Sequence, residues 1–468
     1  MMSDSNGRRD PTETERCRES FLNSKRPHIL QITNHGVHDW QVIPGLPDTG
    51  GQNVFVNQMT EALADLGYKV TIANRGGFPH PKTGEIRRGV DYLDEHRRLL
   101  YLEDSVPEFV LKEEMKNRIP ELADFLLRFL VGEDDSPDLI VSHYWDGAAI
   151  AVALNRKNNN MREHFWVPHS LGAVKKRNMD PSTWEDLRID ERIEEEKRLL
   201  EEVNGVAATS KVIRDSLYND YGCATDIFLP PCVNPKRFYP REVAPDDDIW
   251  DFLSNESGLS KDDLRKAEII TEVSRTDKTK RKDVLIEAFA SVLKEVPEAL
   301  LLLTVDKDAE PLAGELSALA EEKGVARRIV MLGSVWESLP KLYAVTHVYC
   351  TPSVMEGFGM AIQEAAATGV PAVASDLVPF AVEYLLGEEP RILEGDEENP
   401  AIREGDGAIV VAADAIDGFA RALIRLLGND ELRGEMGDRA YRITVPYFTW
   451  RNMTDKFLEA AGLTSSGE

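Results

Sequence analysis

The chain has 468 residues, of which 42% are hydrophobic and 29% charged, and its 82 acidic against 55 basic residues give a formal net charge of −27. This composition predicts a soluble globular protein of two or three domains, and the strongly negative charge disfavours nucleic acid and anionic membranes as partners. The longest apolar runs, such as 299–305, are too short to span a bilayer, so no stable membrane insertion is expected.

The N-terminal segment is polar and charged. Residues 1–26 contain no apolar stretch typical of a signal peptide, and we expect them to form a solvated, disordered tail. The four cysteines (17, 223, 232 and 350) form no Cys-x-x-Cys pair, which offers no metal-ligand spacing and favours reduced thiols. Both features predict a cytoplasmic protein.

The first domain, expected over 27–228, begins like a phosphate-binding α/β unit. The β-branched run 28–34 predicts a buried strand, and a helix with one apolar face follows the glycines at 50–51. Glycines at a strand-to-helix turn are typical of phosphate sites. However, the G-x-G-x-x-G fingerprint and the G-x-x-x-x-G-K-[ST] loop are both absent, which disfavours nicotinamide oxidoreductases and P-loop NTPases.

Histidines cluster where predicted strands of this domain end. One strand ends just before His143 and another just before His169. Ligands in open α/β sheets bind beyond the carboxyl ends of the strands, so both histidines are expected at one crevice. The long loop before the glycines carries His35, His38 and Asp39, which are interpreted either as ligands of an acceptor or as surface residues.

The rest of the first domain is predicted to contain two long helices and to end in a linker. One helix covers about 107–131, and an acidic one covers 189–202. On the acidic helix, Arg192 is either an anchor for an acceptor phosphate or carboxylate, or part of a solvated charged face. The proline-rich and then acidic stretch 229–262 is expected to be a linker between domains. Its Asp-x-Asp pattern at 246–248 is interpreted as surface, with no metal assigned.

The second domain, expected over 263–445, contains the most informative stretch. A strand at 348–350 leads to the loop Glu356–Gly359, and an alanine-rich helix with Glu364 follows. Unpaired N–H groups and the helix dipole favour an anion at such a helix start. Carboxylates accept hydrogen bonds from sugar hydroxyls, so phosphate plus sugar is the simplest ligand for this loop.

EGFGMAIQE at 356–364 resembles the E-x-F-G-x-x-x-x-E signature of the retaining GT-B glycosyltransferases of family 4, in the group that contains sucrose-phosphate synthase. Further matches are DTGGQ at 48–52, HSLG at 169–172, the R-x-x-x-x-K pair at 275 and 280, and the FTW ending at 448–450. The resemblance covers roughly 27–462. It implies an α/β GT-B fold: two Rossmann-like domains facing a cleft, with a C-terminal helix in 446–468 that packs back on the first domain.

The resemblance also implies a set of site residues. The catalytic ones are His169, Arg275, Lys280 and Glu356. The donor-binding ones are Gly50, Gly51, Gln52, Ser334, Val335, Gly357, Phe358, Gly359 and Glu364. Arg192 is implied as an acceptor ligand, and His38 of the polar loop is the other acceptor candidate. In the family's pattern, the imidazole lies against the donor sugar, the two cations hold the diphosphate, and the glutamates accept hydrogen bonds from sugar and ribose.

The implied activity is transfer of a hexose, glucose first, from a nucleotide sugar to a small soluble acceptor such as fructose 6-phosphate or glycerate, in sucrose-type or compatible-solute synthesis. UDP-glucose is the expected donor, GDP- and ADP-sugars stay open, and no metal or other cofactor is required. No carboxylate pair is spaced as a covalent nucleophile with its acid, so same-face attack is favoured over double displacement. A glycoside phosphorylase and a non-catalytic nucleotide-sugar-binding module are the alternatives.

Overall fold

The computed structural model of the chain describes residues 11–43, 46–157, 162–178, 181–307, 309–333, 335 and 337–463. These residues form two α/β units. The first runs to Pro230 and also includes the chain from Trp450, whereas the second runs from Pro231 to Thr449. Within these ranges, no helix combines the length and the apolar character needed to cross a bilayer.

The first unit alternates strands and helices. In chain order its elements are α1 Pro11–Asn23, β1 His28–Thr33, α2 Gly51–Asp65, β2 Lys69–Arg75, β3 Gly89–Tyr92, β4 Arg97–Leu102, α3 Ile119–Gly132, β5 Leu139–His143, α4 Tyr144–Lys157, β6 Glu163–Val167, α5 Gly172–Asn178, α6 Ile189–Leu200, β7 Gly205–Val206 and α7 Lys211–Tyr221. Three-ten turns lie at Lys112–Asn117 and Pro181–Thr183.

In the described part of this unit, seven strands form one sheet in the order β3-β4-β2-β1-β5-β6-β7. Only β3 is antiparallel to its neighbour, and every residue of β1 and β2 is buried, as expected of strands covered by helices on both faces. The strand order reverses between β1 and β5, which pair in parallel. The loops that follow these two strands therefore border the crevice where such sheets bind ligands.

The second unit repeats the same plan. Its elements are α8 Asp248–Ser257, α9 Lys261–Arg265, β8 Glu268–Glu272, α10 Lys282–Glu295, β9 Ala299–Thr304, α11 Leu312–Glu322, β10 Ile329–Leu332, α12 Leu339–Ala344, β11 Val348–Thr351, α13 Met360–Ala367, β12 Ala372–Ser375, β13 Arg391–Gly395, β14 Pro400–Glu404, β15 Ala408–Val411, α14 Ile416–Leu427 and α15 Asp430–Thr444. The chain then enters α16 Trp450–Ala460, which belongs to the first unit.

Over the described residues, the second sheet has eight strands in the order β10-β9-β8-β11-β12-β15-β14-β13. The strands are parallel except for the edge hairpin of β13 and β14, which is antiparallel, as is its pairing with β15. The order reverses between β8 and β11. The prediction of two Rossmann-like α/β units is confirmed.

Helix α16 closes the first unit by packing on α2. The Trp450 indole N–H donates to Gln58 Oε1 at 2.7 Å, and its ring meets Phe55 edge-on at 4.7 Å. Phe457 of α16 meets Phe165 of β6 in the same way. The apolar face of this last helix is thus buried on the first unit, as the resemblance implies.

The expectation of a disordered N-terminal tail is wrong for residues 11–23, which form α1. Phe21 is fully buried, and Cys17 is 3% exposed. The Arg98 guanidinium lies 4.2 Å from the centre of the Phe21 ring and donates to Glu133 and Asp135 at 2.6 and 3.0 Å. One aromatic residue in a polar segment therefore holds the helix in place, which composition alone does not reveal.

The expected linker at 229–262 is also wrong from Pro231 onward. This stretch belongs to the second unit and contains α8 and α9. The Asp247 side chain caps α8 by accepting from the Ile249 N–H, and Asp247 and Asp248 both pair with Lys341. The acidic pattern therefore serves a helix start, as aspartate commonly does.

Two further predictions needed correction. The helix expected over about 107–131 is a three-ten turn, Lys112–Asn117, followed by α3. Strands β3 and β4 and the β13–β14 hairpin have no counterpart among the strands predicted from the sequence. These short or edge strands lack the apolar run that reveals a buried parallel strand.

Candidate active site

The reversal of strand order in the second unit brings two predicted site residues into contact. Lys280 follows β8 and Glu356 follows β11. The Lys280 ammonium donates to Glu356 Oε1 at 2.6 Å and to the Met355 carbonyl at 3.0 Å. Lys280 is 7% exposed and the Glu356 side chain is 21% exposed. The carboxylate is therefore the more solvent-exposed group of this pair.

The loop that carries Lys280 is fastened at both ends. Glu272, the last residue of β8, pairs with Lys282 at the start of α10, and the Lys282 ammonium also donates to Ser274 Oγ at 2.8 Å. Asp277 caps the turn before Lys280 by accepting from the Thr279 N–H at 2.8 Å. These contacts fix where the Lys280 ammonium lies.

Arg275, the other predicted cation, lies on the same loop but is exposed. It makes no ion pair within the described residues. Its charge helps to lower the pKa of Asp277, after the hydrogen bonds from Thr279. The structure therefore brings Lys280 and Glu356 together but leaves Arg275 turned to solvent.

The glycine loop of the second unit has two kinds of glycine. Gly359, the residue before α13, has φ of +107°, and a Cβ there would lie 3.1 Å from Val378 Cγ1. At Gly357 no described atom lies within 4 Å of a Cβ position. The fold thus requires glycine at 359, whereas at 357 an open approach to the backbone is the feature that glycine preserves.

Phe358 stands between these glycines and points into the protein. It is 3% exposed and packs against Phe380, Tyr384 and Phe448, with ring centres 5.4 to 6.1 Å away. The Phe380 N–H donates to the Phe358 carbonyl at 2.8 Å. Its side chain therefore anchors the loop, and only its backbone is left to face a ligand.

Glu364 lies within α13 and is 8% exposed. The Tyr343 hydroxyl donates to its Oε2 at 3.4 Å. Burial raises the pKa of Glu364 to about 7, against the opposing effect of Arg237. Of the two residues predicted to receive the base, Val335 is buried and Ser334 lies outside the described residues.

The glycine loop of the first unit opens α2. Gly50 has an extended φ of 179°, which any residue can adopt, and no described atom lies within 4 Å of a Cβ there. Gly51 is the first residue of the helix. Gln52 donates from Nε2 to Thr33 Oγ1 at 3.0 Å, which ties the helix start to the end of β1. As at Gly357, the open backbone leaves room for a ligand.

His169 follows β6 with φ of +55°, a left-handed conformation that is uncommon for a residue with a side chain. Its Nε2 lies 2.9 Å from His143 Nδ1, and its ring meets Phe55 edge-on at 4.7 Å. Burial lowers its pKa to about 3, so the imidazole is neutral at physiological pH. Such left-handed residues concentrate at functional sites.

The surface interpretation of His35 and His38 is wrong, because both are buried. His35 Nδ1 lies 3.1 Å from Asp146 Oδ1. His38 uses both ring nitrogens, with Asn57 at 2.9 Å and Asn53 at 3.1 Å, and burial lowers its pKa to about 4. A ligand at His38 would have to replace one of these bonds.

Asp39 pairs with Arg87.

Arg192 lies on α6, and its guanidinium is held on three sides. Nε donates to Glu196 at 2.7 Å, while the terminal nitrogens donate to the Tyr144 hydroxyl and, at 2.5 Å, to the Ser170 carbonyl. A guanidinium has five N–H groups, so two are left for another partner. Of the two interpretations from sequence, a solvated charged face does not fit a residue that is 8% exposed.

Arg192 borders an open cleft in the first unit. The cleft is lined by five basic and three acidic residues: Lys112, Lys116, Lys175, Arg188 and Arg192, with Glu113, Glu191 and Glu195. Lys112, Lys116 and Arg192 pair with carboxylates, whereas Lys175 and Arg188 make no ion pair among the described residues. Such a cleft favours an anion.

Lys175 is the residue of this cleft that sequence reasoning missed. Its ammonium donates to the Tyr144 hydroxyl at 3.0 Å. Burial lowers the pKa of Lys175 to about 7, and the nearby charges of Arg192 and Lys112 add to that shift. The signal was its place six residues after His169, on the helix that HSLG opens, but two further basic residues at 176 and 177 concealed it.

Among the described residues, no three histidine, cysteine, aspartate or glutamate side chains are grouped as metal ligands. The Asp-x-Asp pattern, as described above, pairs with Lys341.

Comparison with known proteins adds family information. Residues 49–237 match the model described as Glycosyltransferase Family 4, and residues 260–443 match that of Glycosyl transferases group 1. A mannosylfructose-phosphate synthase of Agrobacterium fabrum is 29% identical over 75% of this chain and 76% of its own.

Solved structures share the fold. A sucrose-phosphate synthase from Thermosynechococcus elongatus has a TM-score of 0.72 at 22% identity, covering 93% of this chain and 98% of its own. HepE of Anabaena, crystallised with UDP and glucose, has a TM-score of 0.63 at 14% identity, covering 93% of this chain and 99% of its own. The GT-B fold predicted from the sequence is therefore confirmed.

Proposed function

Because the chain belongs to the GT-B glycosyltransferases of family 4, we propose that it transfers glucose from UDP-glucose to a small phosphorylated sugar, with fructose 6-phosphate as the first candidate. The basic cleft at Lys175 and Arg192 carries this proposal, since it offers an acceptor phosphate two cations on rigid helices. The names of the mannosylfructose-phosphate and sucrose-phosphate synthases support an acceptor of this class.

In this proposal the first unit binds the acceptor phosphate. Arg192 is pre-oriented by Glu196 and the Ser170 carbonyl, so little side-chain entropy is lost when its remaining N–H groups bind. An anion beside Lys175 restores the favoured ammonium form of a lysine whose pKa is lowered to about 7. Charge-assisted hydrogen bonds of this kind are the stronger ones.

The second unit binds the donor. Lys280 and Arg275 neutralise the diphosphate, and the open backbone at Gly357 lets the phosphates approach the start of α13. Glu356 Oε1 accepts a hydrogen bond from the Lys280 ammonium. The other oxygen, Oε2, has no hydrogen bond among the described residues and accepts one from a sugar hydroxyl. Glu364 accepts one from the ribose.

The reaction then requires no covalent enzyme intermediate. The acceptor hydroxyl attacks the anomeric carbon from the face that the diphosphate leaves, and the C1–O bond electrons pass to the leaving phosphate oxygen. That oxygen takes the proton of the attacking hydroxyl. Lys280 stabilises the transition state more than the ground state, because the charge on the leaving oxygen grows as the bond breaks.

The test is a donor-by-acceptor screen. The full chain is incubated with UDP-, GDP- and ADP-glucose, each with fructose 6-phosphate, glycerate, fructose or inorganic phosphate, and released nucleoside diphosphate is measured. We expect release from UDP-glucose to depend on fructose 6-phosphate, and product NMR to show a retained anomeric configuration.

Fructose is the matched control for the anion cleft, because it differs from the proposed acceptor only in lacking the phosphate. Release that is equal with fructose and fructose 6-phosphate would remove the role of Lys175 and Arg192. Sugar phosphate formed from inorganic phosphate and a glycoside such as sucrose, without nucleotide, would establish a phosphorylase instead. The absence of release with every pair would refute the transferase proposal.

A further inference from the structure

A continuous series of hydrogen bonds joins the core of the first unit to His169. Its members are Thr60 on α2, Gln31 on β1 and His143 at the end of β5, and all three are fully buried. Thr60 Oγ1 donates to the Val56 carbonyl at 2.8 Å, and Gln31 Nε2 donates to Thr60 Oγ1 at 2.5 Å. Gln31 Oε1 lies 3.0 Å from His143 Nε2, and His143 Nδ1 lies 2.9 Å from His169 Nε2.

The direction of every hydrogen bond in this series follows from the Val56 carbonyl, at the end of the series opposite to His169. A backbone carbonyl only accepts, so the Thr60 hydroxyl gives its proton to Val56 and its oxygen accepts from the Gln31 amide. The amide oxygen of Gln31 also only accepts, so the ring proton of His143 lies on Nε2. The Nδ1 of a neutral His143 is then bare and accepts from His169 Nε2–H.

Both imidazoles are neutral. Burial lowers the pKa of His143 well below its ordinary value, and burial lowers the pKa of His169 to about 3. Each ring therefore carries one proton. His169 is only half-buried, and its Nδ1 has no hydrogen-bond partner within the described residues.

We propose that Thr60, Gln31 and His143 are positioning residues that hold His169 in its Nε2–H tautomer, so that the bare Nδ1 accepts a hydrogen bond from a substrate hydroxyl. This inference rests on the proposed function, which supplies the hydroxyl-bearing substrate. The opposite tautomer would present an N–H at the same place and reverse the direction of that bond. Toward the substrate, His169 is thereby a hydrogen-bond acceptor and not a donor.

The tautomer can be observed directly. Long-range ¹H–¹⁵N spectra of the full chain, labelled with ¹⁵N-histidine, distinguish protonated from bare ring nitrogens, and loss of one signal set in His169→Asn assigns that residue. At pH 7 we expect Nε2 of His169 to be protonated and Nδ1 to be bare. Thr60→Val removes the hydroxyl at nearly the same shape, so the Gln31 amide can rotate and the Nδ1–H form of His169 should gain population. Thr60→Ser should restore the wild-type pattern.

Thr454→Val is the matched control, because Thr454 is a fully buried threonine of the same unit whose hydroxyl has no hydrogen-bond partner among the described residues. It should leave the His169 signals unchanged. Gln31→Leu, which breaks the series at its middle, replaces Thr60→Val if that variant does not fold. Loss of one neutral hydrogen bond predicts a fall in kcat/KM of about three- to tenfold in Thr60→Val.

Wild-type His169 protonated on Nδ1, or an unchanged His169 pattern in whichever of Thr60→Val and Gln31→Leu folds, would overturn the inference. The spectra need no turnover, so the two proposals fail separately. A protein with the expected tautomer and no transferase activity contradicts only the proposed function. An active protein with the wrong tautomer contradicts only the positioning role.

Discussion

The two candidate lysines, one in each unit, occupy opposite electrostatic environments. Lys280 in the second unit is 7% exposed and directly paired with the Glu356 carboxylate. Lys175 in the first unit meets a neutral phenol, Tyr144, and stands near two other cations, Arg192 and Lys112. Lys280 is held by a carboxylate before any substrate arrives, whereas Lys175 makes no ion pair with a carboxylate among the described residues.

This difference suits the two lysines to different tasks: Lys280 is fixed in position, whereas the charge of Lys175 responds to a bound anion. A preformed ion pair keeps the ammonium of Lys280 in one place, so little reorganisation is needed when charge develops on a leaving phosphate. A lysine among cations is charged fully only when an anion joins it, so the ionisation of Lys175 is coupled to binding. The same side chain can therefore serve transition-state stabilisation in one unit and anion recognition in the other.

The largest expected effect is that of breaking the Lys280–Glu356 pair. Lys280→Met removes the cation next to the leaving diphosphate, and loss of one such group is worth about 3–4 kcal/mol, or roughly 10²- to 10³-fold in kcat. Steady-state kinetics with UDP-glucose and fructose 6-phosphate measure it. Lys341→Met is the control, because Lys341 also pairs with carboxylates but is exposed and lies outside the site. A fall of less than tenfold in Lys280→Met would contradict the role.

Removing the unpaired lysine should affect the acceptor alone. Lys175→Met deletes a charge-assisted hydrogen bond worth about 1.5–3 kcal/mol, which predicts a rise of about 10- to 100-fold in the KM for fructose 6-phosphate. The donor Kd, measured by calorimetry, should not change. Lys176, the neighbour of Lys175, pairs with Asp190 at the surface, and its substitution by methionine is the matched control. An equal loss for fructose would mean that Lys175 does not bind the phosphate.

The ionisation of Lys175 should make the KM for fructose 6-phosphate depend on pH. With a pKa of about 7, the ammonium form of Lys175 falls as pH rises, so the KM for fructose 6-phosphate should rise by about fivefold from pH 7 to 8. The groups around it are Arg192, Lys112, Glu113 and Glu196. Lys175→Arg, which stays charged, should remove this slope. A slope that persists in this variant would assign the titration to another group.

The KM for UDP-glucose should change with pH in the opposite direction, and this is the smallest of the expected effects. Glu364 also has a pKa of about 7, and its carboxylate form, the better acceptor for ribose hydroxyls, grows as pH rises. The KM for UDP-glucose should therefore fall by about twofold between pH 6 and 8. Glu364→Gln should be insensitive to pH over this range. Parallel slopes for donor and acceptor would contradict the separate assignments.

The fold could be predicted from the sequence, and so could the candidate residues Lys280 and Glu356 of the second unit, but not the contact between them. The strand–loop–helix pattern around Glu356 and the motif at Lys280 suggested one donor site, and the reversal of strand order between β8 and β11 brings these two residues together. Sequence reasoning also placed His169 at a strand end. The roles of these residues stay predictions.

What the sequence left out depends on contacts between distant residues. Lys175 became a candidate only through burial and its neighbours Tyr144 and Arg192, since three adjacent basic residues look alike in a sequence. The hydrogen-bond series through Gln31 links three separate elements of the first unit, and no spacing encodes it. Edge strands such as β13 lack the apolar run that identifies buried ones.

The helix that the sequence assigned to a tail has a practical consequence. Arg16 and Arg18 are potential trypsin sites inside α1, which the burial of Phe21 against Arg98 holds in place. Proteases need a locally unfolded segment, so cleavage there should report how often α1 detaches from the first unit. A short treatment with trypsin, followed by measurement of the mass of the chain, would thus show how often α1 opens.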